Sequence, residues 1–141
     1  MIWLLPGFVA FVLISLVVLA VRSHRPPPLG LVNGRLRPCP GPPNCVCTED
    51  GTPLTFNDSP VQAWGRARQA VLNLGGRIQT ETNGYLHATF TTHVFRFVDD
   101  VELRLDETAR VIHIRSSARV GQRDFGVNLK RVAQFRKLTE I

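Results

Sequence analysis

From Ile2 to Val21 no residue carries a charge, and Leu, Val, Ile and Phe dominate the run. At 1.5 Å of rise per residue, such a helix extends roughly 30 Å, the thickness of a bilayer's hydrocarbon core. A helix buried in a water-soluble core usually keeps a polar stripe, and this one has none. Pro6 falls in the first turns, where its missing N–H costs least, and Trp3 sits near one end, where an indole favours the interface. Residues 1–22 therefore read as a transmembrane anchor. A cleavable signal peptide is the alternative, because Val18-Leu19-Ala20 offers residues that a signal peptidase accepts. Two features favour the uncleaved anchor: no Lys or Arg precedes the run, and the run exceeds the usual length of a signal-peptide core.

The formal charge of +6 invites a nucleic-acid reading, but its location argues against one. Arg22, Arg25, Arg35 and Arg37 lie between the anchor and Cys39 with no acid among them. The rest of the chain holds nearly as many acids as bases, and no basic run interleaves with aromatics, so nucleic acid is not an expected partner. Membrane lipid is, since each basic side chain near an anionic surface gains about 1 kcal/mol. These arginines also bear on topology. Positive charge after the helix places the domain in the cytoplasm by the positive-inside rule. The cysteines point the other way: Cys39 and Cys45 can close a short Pro-rich loop as a disulfide, which persists only in an oxidising compartment. Both readings stay open. A zinc site would need His24, or one of His87, His93 and His113, and the spacing fits no usual zinc module. No metal or other cofactor is expected, and Cys47 is left over.

Residues 23–47 form a basic linker rich in Pro and Gly, a composition that favours extended polyproline-like chain. The domain then occupies 48–141. Ser59 can cap a helix with Pro60 in its first turn and Gly75-Gly76 at its end. Val61, Trp64, Ala67, Ala70 or Val71, and Leu74 would be its buried stripe. Strands follow over 77–81 and 85–92, joined by the hairpin signal Asn83-Gly84. A last helix spans 128–139, with Leu129, Val132, Phe135 and Leu138 on one face. The predicted fold class is α+β: an N-terminal transmembrane helix, then an antiparallel sheet of about four strands with two helices on one face.

Val101, Leu103 and Leu105 alternate with Asp100, Glu102 and Arg104, and a second alternation runs over 111–115. With 106–109 as the turn, Val101 faces Ile114 and Leu103 faces Ile112. On the other face Glu102 meets His113, and Asp100 meets Arg115. Asp99 falls on the apolar side, so either a bulge turns it outward or it is a buried carboxylate with a partner.

Several blocks resemble the family called domain of unknown function 1499, from Cys39 onward: Pro43-Asn44-Cys45-Val46-Cys47, Phe97-Val98-Asp99-Asp100-Val101-Glu102, Arg115-Ser116-Ser117-Ala118-Arg119-Val120-Gly121, Asp124-Phe125-Gly126-Val127-Asn128, and Lys130-Arg131. The chain departs from the family pattern at Ala118, where a second spaced serine is usual, and at Gln122-Arg123, where an aromatic–serine pair is frequent. The resemblance implies a membrane or envelope setting and supplies no reaction.

The stretch 115–131 gathers Arg115, Ser116, Ser117, Arg119, Asp124, Asn128 and Arg131 beside the start of a helix. It could bind an anionic small molecule, a lipid headgroup or a protein partner. The plainer reading is scaffolding, with Asp124 paired to an arginine and Asn128 capping the helix. Asp99, Asp100 and Glu102 read as ion-pair partners rather than metal ligands, because adjacent residues of a strand point to opposite faces. Glu102 with His113 is the best catalytic-looking pair, and no G-x-S-x-G, P-loop or H-E-x-x-H accompanies it. The expected function is thus a membrane-anchored binding module, with a structural envelope component or a hydrolase-type enzyme as alternatives.

Overall fold

The computed structural model describes residues 4–41 and 43–139; Trp3 and Pro42 fall outside them. The apolar helix α1 is Leu4–Ser23, and within it Pro6–Ser23 is long and apolar enough to cross a membrane. The linker is more ordered than its composition implies. Strands β1 (Leu31–Val32) and β2 (Arg35–Leu36) form a hairpin turning on Asn33 and Gly34, both at positive φ, as a type I′ turn requires. Next come β3 (Cys45–Cys47), β4 (Leu54–Thr55), α2 (Pro60–Asn73), β5 (Arg77–Thr82), β6 (Tyr85–Thr91), β7 (Val98–Asp106), β8 (Val111–Ala118) and α3 (Val127–Thr139).

Among the described residues, six strands make one antiparallel sheet in the order β3-β8-β7-β6-β5, with β4 also on β8. The fold is α+β, as expected. The extra strands β3 and β4 are two or three residues long, too short to show alternation in the sequence. Both domain helices lie on one face. Ala63, Ala67, Ala70 and Val71 of α2, with Val132 and Phe135 of α3, pack in one core against Leu86, Ala88, Val101, Leu103, Ile112 and Ile114.

Ser59 caps α2, its hydroxyl accepting from the Gln62 N–H, and Pro60 begins the helix. The buried stripe differs from the expected one at Val61, which is 82% exposed. Val61 stands two residues from Ala63, and two residues turn about 200° around a helix. The small alanines face the sheet, where they allow a close approach. On α3, Leu129 and Leu138 are exposed, and the inward face is Asn128, Arg131, Val132, Phe135 and Thr139. Two of those inward residues are strongly polar because partners await them inside.

The β7–β8 pairing is offset by two residues from the expected register. Asp106 pairs with Val111, Leu105 with Ile112, Leu103 with Ile114, and Val101 with Ser116. The turn is 107–110: Arg110 takes φ +56°, and the Asp106 carboxylate accepts from the Ala109 N–H. A shift of two keeps every side chain on its own face but changes every partner. Glu102 therefore lies opposite Arg115, not His113, and Asp100 lies opposite Ser117, not Arg115.

Candidate functional site

β7 and β8 carry polar side chains on both faces, and both sets are buried. On the helix side, Asp99 turns inward, as one of its two expected alternatives required. Its carboxylate accepts from Arg131 Nη2 at 2.9 Å, and Arg131 Nη1 donates to Asn128 Oδ1 at 2.7 Å and Ser116 Oγ at 3.0 Å. The Arg131 guanidinium also lies 4.5 Å from the Phe90 ring centroid. Burial pushes the Asp99 carboxyl above its ordinary range, with Arg131 pulling the other way. Asn128 Nδ2 donates to the Asn44 carbonyl and to Asp124, and Asp124 also accepts from the Asn128 and Gly126 N–H groups at the start of α3.

The opposite face carries a row of charges beneath the linker. Glu102 is fully buried and accepts from the Gly30 N–H, the Tyr85 hydroxyl and Arg115. Burial, then the Glu102 carboxylate, push the Tyr85 phenol upward. Asp100, also fully buried, accepts two hydrogen bonds from Arg119 and lies 2.8 Å from His87 Nε2. Burial alone would raise the Asp100 carboxyl, but His87 and Arg119 outweigh it and carry it below its ordinary value.

Glu49 is the third member, accepting from Arg104, Arg35 and the Leu36 N–H. Burial raises its carboxyl, yet these bonds and the nearby His113 prevail and hold it at about 2, against an ordinary 4.5. A carboxyl depressed on folding contributes stability above its unfolded pKa and loses that contribution as pH falls through its folded value. The Arg35–Leu36 hairpin should therefore detach between pH 4.5 and about 2. Amide exchange at Leu36 measured across that window checks this, and unchanged protection at pH 2 would contradict it.

The seven residues expected to bind a ligand are thus divided by the sheet. Ser116, Asp124, Asn128 and Arg131 meet on the helix side; Arg115, Ser117 and Arg119 lie on the other. Glu102 and His113 do not form the catalytic-looking pair: His113 Nδ1 lies 3.1 Å from the Thr48 carbonyl oxygen and 3.7 Å from Glu49. Cys39 and Cys45 form the expected disulfide, and Cys47 is a free thiol that burial pushes upward.

A cavity of about 620 Å³ lies at the foot of α1. Leu16 and Leu19 of that helix form one wall; Phe95, Phe97, Val120 and Phe125 of two loops form much of the rest. A smaller groove of about 330 Å³ adjoins it across His93, Phe125 and Val127. Sequence reasoning did not single out Phe95, Phe125 or Lys130 as site residues, and considered His93 only as a zinc ligand. The available signal was Val94-Phe95, an apolar pair outside any strand, and Phe125 set between Asp124 and Gly126.

The helix C-terminus is fixed beside this cavity. Ser23 Oγ accepts from the Val98 N–H at 3.1 Å, and Arg119 Nη1 donates to the Ser23 carbonyl at 3.2 Å. A family model described as "Protein of unknown function (DUF1499)" matches residues 35–138. The chain belongs to the DUF1499 family. The match begins at Arg35, so the DUF1499 region includes the hairpin residues clamped by Glu49 as well as both polar clusters. No curated protein matches the chain.

Proposed function

We propose that this DUF1499 protein is a single-pass membrane-tethered binding module whose 92–97 and 119–127 loops rest in the bilayer surface and meet anionic lipid there. The observation that carries the reading is the shared wall of the larger cavity. Leu19 and Leu16 stand four and seven residues before Ser23, so they lie roughly 6 and 10 Å along the helix axis from its end. Loops that share a cavity with those side chains sit at similar depth, and with α1 across a membrane that depth is the headgroup and upper acyl region.

The loops are chemically suited to it. Phe125 is 99% exposed and held at φ +53°, a strained backbone for an aromatic residue that presents its ring outward. Val94 and Phe95 are exposed beside it. His93, Arg96, Arg123 and Lys130 stand exposed around these apolar tips, the pattern of an interfacial surface facing anionic headgroups.

In a full-length chain with Trp3 and Trp64 replaced by Phe, Phe125→Trp should be quenched strongly by phospholipids brominated near the headgroup end of the acyl chain. Emission indifferent to those lipids, and open to an aqueous quencher, would remove the reading.

For sidedness, the Cys39–Cys45 disulfide favours the extracytoplasmic side over the one indicated by the arginines. With a membrane-impermeant reductant and alkylator on intact cells, all three cysteines should gain label, and no more than Cys47 without reductant. Three thiols that react only once the cells are broken, with no reductant needed, would put the domain in the cytoplasm.

A further inference from the structure

Building on that reading, we infer that the two adjoining chambers form one site for an anionic amphiphile, its acyl chain in the larger and its carboxylate or phosphate head in the smaller. The division follows from the linings. The larger chamber is walled by Leu16, Leu19, Phe95, Phe97 and Val120, and its volume falls within the roughly 300–1,000 Å³ usual for ligand pockets. Its acids, Asp99 and Asp124, are already engaged, one by Arg131 and the other by the Asn128 side chain and the N–H groups of Gly126 and Asn128. His93 and Arg123 border it as well, but its wall is mostly aliphatic and aromatic, which suits a hydrocarbon chain better than a charged head.

The smaller groove is the more polar of the two, although Leu74, Phe90 and Val127 also line it. Its lining includes His93, Lys130 and Arg131, with Thr91, Thr92 and Gln134 as further donors, and no carboxylate. Arg131 is committed inward to Asp99, Ser116 and Asn128, and Asp99 balances its charge, so the groove's unmatched cation is Lys130. The Lys130 ammonium is exposed and makes no side-chain hydrogen bond or ion pair among the described residues, which leaves it available to an incoming anion. Phe125 and His93 line both chambers, at the point where head joins chain. Because α1 itself supplies a wall, a chain can pass from the bilayer into the larger chamber without crossing water.

The test uses the full-length protein in phosphatidylcholine nanodiscs, with a stearate carrying a photoreactive diazirine at mid-chain. Crosslinks should map to peptides containing Leu16–Leu19 and Val120. Oleate should compete, and oleyl alcohol, which has the same chain without the charge, should do so about tenfold less well, a difference of about 1.4 kcal/mol. Lys130→Glu should weaken capture by a similar factor with an unchanged melting temperature, and Val120→Trp should block the chain by filling the chamber.

Dioleoyl phosphatidylglycerol forms the second arm. Competition by it as well as by oleate makes phospholipid a source; competition by oleate alone restricts the site to free fatty acids. Equal competition by oleate and oleyl alcohol, or capture indifferent to Lys130→Glu, would overturn the proposal. Quenching of the Phe125→Trp variant by brominated lipid without crosslinks at Val120 would sink this inference while leaving the membrane seating intact.

Discussion

Replacing Arg131 by methionine is expected to lower folding stability by about 3–5 kcal/mol, enough to unfold a domain of ordinary stability. Methionine keeps much of the volume against Phe90, so the loss is chiefly electrostatic. Asp99 is 5% exposed and has Arg131 as its charged partner; without it the carboxylate is left nearly buried at the wall of the larger chamber with its ion pair gone. Burial already pushes Asp99 upward, and removing the guanidinium lets that push go unopposed. The variant should accordingly recover part of its deficit at acid pH, where Asp99 is protonated. The double variant D99L/R131M should be much more stable than R131M alone, because no charge remains to be stranded. Urea titrations of all three proteins decide the matter. A single variant within about 1 kcal/mol of wild type would mean that solvent reaches Asp99 freely.

Glu102→Gln is expected to cost a similar amount, about 3–5 kcal/mol, for the mirror-image reason on the other face of the sheet. Glu102 accepts from a backbone N–H, a phenol and a guanidinium at once, and a carboxamide can accept at one of its two ends only. Arg115 is then left buried beside a neutral group. Gly30 and Tyr85 share one carboxylate oxygen and Arg115 takes the other, so an amide turned to keep an acceptor for Arg115 gives up the Gly30 bond that joins the linker to the sheet, and mobility around Gly30 should follow. Limited trypsin digestion should cut after Arg35 far faster in the variant than in wild type. Equal cleavage rates together with an equal melting temperature would show that the linker is held by other contacts.

How much of this was legible before the structure depended on whether a signal was local. The Ser59-Pro60 cap, the hairpin at Asn83-Gly84 and the final helix all follow from residues near in sequence, and all stand within a residue or two of expectation. The β7–β8 alternation was legible as faces but not as partners, because the sequence around 106–110 admits two turns and only the positive φ of Arg110 selects one. The same Asn-Gly dipeptide that marks the turn at 83–84 also occurs at Asn33-Gly34, and there the surrounding prolines masked it.

The inward polar face of α3 was hidden for another reason. Leucines at 129 and 138 have the right spacing and the stronger hydrophobicity, yet the helix turns Asn128 and Arg131 inward because Asp99 and Ser116 wait on the sheet. The clue was Asp99 itself, since an acid on the apolar side of a strand demands a cation from some facing element. The cavity at the foot of α1 was invisible to sequence, because it joins residues more than a hundred positions apart.

The hydrogen bonds that hold Ser23 to Val98 and Arg119 turn what looked like a leash into a bracket. A domain on a leash ignores the angle of its helix. A domain on a bracket must follow it, so with α1 across a bilayer as proposed, a tilt imposed by a bilayer thinner than its apolar length would swing the 92–97 and 119–127 loops with it. On the membrane seating proposed above, bilayer thickness then becomes a mechanical input to the height of Phe125, without any ligand bound.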